Sequence, residues 1–221
     1  MNSENSDSPP NALLLMAPGC PHCPTVLEGL GRLLKEGRIG RLEAVNVAAQ
    51  PEYAEALGVR SVPWVRLGPF ELDGALSLAE LRQWSERVHD TAGMAAYFDR
   101  LLADGRRQKV EQLILDRPER TRALARLLGN PQTGMHVRLG VGAVLEGLQD
   151  TGALGEDFVH ALGELTRHAE ARVRADACHY LALTGNPQAV PYARACLEDP
   201  NAEVREIAAE TLEALADQSN G

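Results

Sequence analysis

The sequence predicts an α/β domain over residues 11–90, followed by an all-α repeat domain over residues 105–217. Two observations predict the first. An apolar run, Ala12-Leu13-Leu14-Leu15-Met16-Ala17, leads into an amphipathic helical pattern. Period-2 and helical segments then alternate in the order βαβαββα. A third observation predicts the second: beyond residue 90 the strand signals stop, and a helix carrying Val-Arg recurs.

Each element has its own signal. Residues 1–10 are polar, end in Pro9-Pro10 and read as a disordered tail. The run at 12–17 is apolar throughout, as a central strand buried on both faces requires. A helix over 20–35 shows Val26, Leu27, Leu30, Leu33 and Leu34 on one face, with Gly37 as its stop. Residues 41–47 alternate as a strand, and 51–57 form a short helix from Pro51 to the break at Gly58. Residues 64–67 and 70–73 read as a hairpin turning at Gly68-Pro69. A closing helix over 78–88 is capped by Ser77, and residues 91–104 read as a linker or capping helix.

Charge and composition narrow the function. The chain has 221 residues, a net charge of −9, 44% hydrophobic residues and 4% aromatic residues. A core can form, built chiefly from small and aliphatic side chains. The acidic balance argues against a nucleic-acid binder, which needs a basic face. The run at 12–17 is too short to span a bilayer. The polar, acidic N-terminus lacks the basic-then-apolar pattern of a secretory signal, so the expected compartment is cytoplasmic. There a close cysteine pair is more readily catalytic or redox-sensing than structural.

The chemistry-bearing stretch is Gly19-Cys20-Pro21-His22-Cys23-Pro24, between the first strand and the first helix. With Cys20 as N-cap and Pro21 at the first helical position, the free amides and dipole of that turn favour a thiolate on Cys20. A protonated His22 adds to this. Cys23, one turn on, is placed to resolve a mixed disulfide on Cys20. Zinc is the competing reading, but a tetrahedral site wants about four ligands, and neither a second CxxC nor a close His pair is present. An inert core pair is the remaining alternative. Neither metal nor cofactor is called for.

Residues 11–90 resemble a thioredoxin or glutaredoxin fold, and Cys20-Pro21-His22-Cys23 resembles the active site of bacterial disulfide oxidases. Gly58-Val59-Arg60-Ser61-Val62-Pro63-Trp64-Val65 resembles the stretch that carries the family's cis-proline. The resemblance implies a cis Pro63 against the cysteine pair, and a Val62 backbone that pairs with an extended substrate. The order βαβαββα leaves no room for the helical insert that larger disulfide oxidases carry, so the resemblance to them stops at the motif. Three positions depart from the family. Leu14 stands where thioredoxins carry a buried acid, which leaves no carboxylate to accept the proton of Cys23. Trp64 follows Pro63 where threonine is usual; its ring either meets substrate or packs in the core. Pro24 is unusual but tolerable in a first helical turn.

The second half contains three similar helices, around Val137-Arg138, Val173-Arg174 and Val204-Arg205. Partner helices are predicted over 157–167 and 189–197, with a degenerate earlier copy around 109–128. The pattern resembles HEAT-like repeats, which imply a protein-binding scaffold. The recurring arginines either pair with acids of the adjacent repeat or line a ridge for an acidic partner. Cys178 and Cys196, on paired helices, read as buried small hydrophobes, with a second redox pair as the alternative.

The function expected is a thiol–disulfide oxidoreductase acting on a protein substrate, with Cys20 as nucleophile and Cys23 as resolving thiol. Pro21 and His22 tune the pair; Val62, Pro63 and Trp64 form the substrate stretch. The alternative is a scaffold or redox sensor in which the repeats carry the function. A soft-metal chaperone using Cys20 and Cys23 is chemically sensible but lacks methionine and cysteine enrichment.

Overall fold

A computed structural model describes residues 8–218, so most of the tail expected over 1–10 lies outside the described residues. Chain contacts divide it between Gly93 and Met94 into two compact units.

The first unit is a four-stranded mixed sheet with three helices. Its elements are β1 (Asn11–Met16), α1 (Cys23–Lys35), β2 (Arg41–Asn46), α2 (Pro51–Ala56), β3 (Trp64–Leu67), β4 (Phe70–Asp73) and α3 (Leu78–Glu86). The spatial order is β2-β1-β3-β4. β1 runs parallel to β2, with Leu14 opposite Ala44, and antiparallel to β3, with Leu14 opposite Val65. This central position explains the unbroken apolar run: Ala12, Leu13, Leu14 and Leu15 are all buried. Side chains alternate across a strand. Leu13 and Leu15 accordingly join Val45 and Trp64 in a cluster closed by Ala54 and Leu57 from the α2 side.

Local signals set the boundaries. α1 ends where Gly37 takes φ +72°, and the Gly37 and Arg38 amides donate to the carbonyls of Leu34 and Leu33. α3 starts in a capping box: the Glu80 amide donates to Ser77 Oγ at 3.2 Å, and the Ser77 amide to Glu80 Oε2 at 2.8 Å. Two expectations need correction. α1 begins at Cys23, with His22 rather than Cys20 at the N-cap, because Pro21 and His22 stay in the preceding turn. Pro9 and Pro10 are ordered: the Gly40 amide donates to the Pro10 carbonyl at 2.9 Å, extending the edge of β1 beyond the strand.

The second unit is helical. α4 (Thr91–Ala103) crosses the boundary between the units and occupies the stretch read as linker or capping helix. Then follow α5 (Arg107–Asp116), α6 (Thr121–Gly129), α7 (Met135–Leu148), α8 (Glu156–Leu165), α9 (Ala171–Leu183), α10 (Val190–Ala195) and α11 (Ala202–Gln218). The Val-Arg helices are α7, α9 and α11. Val137, Val173 and Val204 all point into the core. α9 packs on α7, α8 and α11, as stacked helix pairs require.

The recurring arginines hold these layers together. Arg138, 4% exposed, donates from Nε to Asp176 Oδ2 on α9 at 3.1 Å, and from Nη1 to the Asn130 carbonyl after α6 at 3.3 Å. Arg174 grips both oxygens of Asp199, at 2.7 and 2.8 Å, and caps the His168 and Ala169 carbonyls after α8. Arg205 caps the Asp199 and Pro200 carbonyls in the same way. Arg138 and Arg174 thus resolve the two readings in favour of pairing with an acid of the neighbouring repeat.

Candidate functional site

The turn between β1 and α1 positions the cysteine pair. It is closed by the Cys20 amide, which donates to the Ala17 carbonyl at 3.3 Å. Gly19 takes φ +79° there, a conformation that favours glycine. The chain then enters α1 at Cys23. The sulfurs of Cys20 and Cys23 lie at disulfide distance, with their Cα atoms 5.5 Å apart.

The two cysteines are not equivalent. Cys23 is fully buried, whereas Cys20 is half-buried and its neighbours Pro21 and His22 are exposed. The Cys23 amide donates to Cys20 Sγ at 3.2 Å. A first-turn amide aimed at a sulfur stabilises negative charge on it, with the helix dipole in the same sense. Moving the helix start to Cys23 therefore changes the capping residue but still leaves a first-turn amide donating to Cys20 Sγ. Cys20 Sγ also lies 3.8 Å from the Val62 carbonyl, to which a reduced thiol can donate.

Val62 comes from 42 residues away in sequence. The Val62-Pro63 peptide is cis, Pro63 is buried and β3 starts at the next residue. Trp64 is 3% exposed and packs with Leu13, Leu15 and Val45, so its ring is part of the core beneath the turn. Leu14 is fully buried on the central strand and brings no carboxylate beneath the pair.

One surface feature was not anticipated. An open groove of about 500 Å³ includes Val62 in its lining, with Val47, Pro51, Ala54, Val59 and Arg60 among the other residues that line it. The sequence did hold a signal. Pro51 and Ala54 are three apart on α2, and the apolar Val47, Val59 and Val62 flank that helix. Among the described residues, no group of three or more His, Cys, Asp or Glu side chains is placed to hold a metal ion. Nor, among them, is any helix long and apolar enough to cross a membrane.

Comparison with protein families agrees with this geometry. Residues 12–86 match the thioredoxin domain, and residues 159–220 match HEAT repeats. The chain joins a thioredoxin-like domain to HEAT repeats. The first match spans β1 to α3 and includes both cysteines and the cis-proline; the second spans most of α8 through α11. No curated protein matches the chain. A close cysteine pair in a thioredoxin-like domain indicates redox activity, and HEAT repeats are in general protein-interaction scaffolds.

Proposed function

We propose that the protein is a thiol–disulfide oxidoreductase for a protein substrate, with the HEAT repeats as the surface that holds the partner. The Cys20 thiolate attacks one sulfur of a substrate disulfide, forms a mixed disulfide and expels the first substrate thiolate. The Cys23 thiolate then attacks Cys20 Sγ and releases the second. The net result is a reduced substrate and a Cys20–Cys23 disulfide; the reverse sequence oxidises a substrate dithiol. The Val62 backbone and Pro63 line the approach to Cys20, and Pro21 and His22 form its exposed rim. Trp64 supports this wall from the core side.

The observation that carries the reading is the asymmetry of the pair: a half-buried Cys20 Sγ receiving the Cys23 amide, and a Cys23 side chain sealed behind it. That is the arrangement expected of an attacking and a resolving thiol. The test is the alkylation rate of reduced wild type and of Cys23→Ser across pH. The expected outcome is a Cys20 thiolate with a pKa well below the free-cysteine value of about 8.5. A normal pKa with slow alkylation refutes the oxidoreductase.

A second reading makes the repeats the working part and the thioredoxin-like domain a docking or sensing module. The buried Leu14 favours it, because no internal base stands behind Cys23. Reduction of insulin separates the two: turnover supports the enzyme, and its absence supports the module.

A further inference from the structure

The second step of the reaction proposed above asks more of the protein than the first. Cys20 is half-buried and receives the Cys23 amide at 3.2 Å, so it can present a thiolate. Cys23 must lose a proton before it attacks, and its side chain is fully buried. Burial disfavours the charged form of a thiol, so a proton acceptor has to be brought to it. Among the described residues of the first unit, Ser85 carries the one buried polar side chain. Its hydroxyl donates to the Arg82 carbonyl at 2.8 Å and is no base at neutral pH. Leu14, on β1, is itself fully buried and apolar, and His22 and His89 are exposed. The reaction itself delivers a strong acceptor to this place: the substrate thiolate expelled in the first step.

We propose that the expelled substrate thiolate takes the Cys23 proton, so that the protein selects disulfides whose two cysteines lie close together in one chain. This rests on Cys20 and Cys23 acting as attacking and resolving thiols. The Cys20 thiolate attacks one substrate sulfur; a bond from Cys20 to the substrate forms, the substrate disulfide breaks, and its second sulfur leaves as a thiolate. That thiolate takes the proton of Cys23. The Cys23 thiolate attacks Cys20 Sγ, the Cys20–Cys23 bond forms, and the first substrate sulfur leaves as a thiolate. The substrate disulfide gains two electrons, the protein dithiol loses them, and the Cys23 proton ends on the substrate.

The tether between the two substrate sulfurs decides the outcome. When both belong to one chain, the mixed disulfide on Cys20 keeps the expelled thiolate beside the pair, at an effective concentration of roughly millimolar order. The exposed Pro21 and His22 that rim Cys20 leave room for that second sulfur. When the expelled thiolate belongs to a separate molecule, as in a mixed disulfide between a protein and glutathione, it diffuses away. Cys23 must then give its proton to water from a position with no exposed surface. The adduct on Cys20 persists, and the substrate is not released.

The test follows the reduced full-length protein through single turnovers with three peptides. In the first, two nearby cysteines are joined to each other. In the second, one of them is replaced by alanine and the other is joined to glutathione. The third is the second with histidine in place of that alanine, which supplies a tethered base without a second thiol. Reactions are quenched in acid, and intact mass gives the rate at which the peptide adduct on Cys20 becomes the Cys20–Cys23 disulfide. The expected result is resolution about tenfold or more faster for the joined peptide than for the alanine peptide, with the histidine peptide faster than the alanine one. Equal rates for the joined and alanine peptides overturn the inference, and no gain from histidine overturns proton transfer as its cause. A protein that takes up none of the peptides and forms no disulfide refutes the oxidoreductase itself, whereas adducts that form and resolve at equal rates refute only the selection.

Discussion

At Cys20, small electrostatic contributions converge on one sulfur. The Cys23 amide donates to it at 3.2 Å, the start of α1 lies behind it, and His22 stands exposed two residues on. Whatever stabilises the thiolate also stabilises the reduced form of the couple and makes its disulfide more oxidising. The potential, measured by equilibration with glutathione, should therefore lie above the roughly −270 mV of thioredoxin. Replacement His22→Ala should lower it, by about 30 mV for each tenfold loss in the equilibrium constant. A wild-type potential at the thioredoxin value, unmoved by the substitution, contradicts a role for His22. These residues were legible because chain order alone places Cys20, Pro21, His22 and Cys23 between a strand and a helix. The helix start was misplaced because proline suits either side of a cap: Pro21 and Pro24 both fit a first turn. The chain uses Pro24, in the first turn of α1. The contact between Cys20 and Val62 spans 42 residues, beyond any local pattern; the resemblance placed the neighbouring Pro63, cis, against the pair and assigned the Val62 backbone to a substrate instead.

Among the elements, the Arg174–Asp199 pair ties a Val-Arg helix, α9, to the turn that leads into the next, α11. Both side chains are largely buried, at 12% and 6% exposure. Arg174's hydrogen bonds hold the Asp199 carboxyl below the usual carboxylate range, aided by the Asn201 amide and the charge of Arg205. A depressed folded pKa means that the contribution is fully present above the unfolded value of about 3.9. It is lost as pH falls through the folded value. Asp199→Asn leaves Arg174 without a counter-charge and should cost about 3–5 kcal/mol at neutral pH. Urea unfolding followed by circular dichroism should show the gap between wild type and variant closing as pH falls from about 5 to about 2. A gap independent of pH rules out the ion pair as its source. The arginines were legible as a repeat, since Val-Arg recurs at 137, 173 and 204. Their acceptors were not. Asp176 lies on a Val-Arg helix and Asp199 in a connecting turn, so no constant spacing links donor to acid. Only the stacking of helices brings each pair together.

For the molecule as a whole, joining a dithiol to a scaffold has a kinetic consequence. On the function proposed above, a partner held by the repeats and able to reach Cys20 at the same time meets it at an effective concentration set by the chain rather than by the solution. This advantage exists for a partner large enough to engage the repeats and Cys20 together, and vanishes for a small disulfide that reacts at Cys20 alone. The two kinds of substrate should therefore respond differently to a competitor that keeps the repeats and lacks the thiols. The Cys20→Ser, Cys23→Ser double variant is such a competitor, since both substitutions lie in the β1–α1 turn region and leave residues 94–218 unaltered. The partner is first captured as a mixed disulfide on Cys20 of the Cys23→Ser variant, whose resolving thiol is missing. Wild-type turnover of that partner is then measured with and without excess double variant, beside turnover of oxidised glutathione. With the double variant at about ten times its own Kd for the partner, the expected outcome is about a tenfold slowing for the protein partner and no change for glutathione. Equal rates for the partner with and without competitor show that the repeats contribute nothing to its recognition. In that case the groove beside Val62, which the competitor also keeps, holds no partner either, and selection rests on the reaction at Cys20 itself.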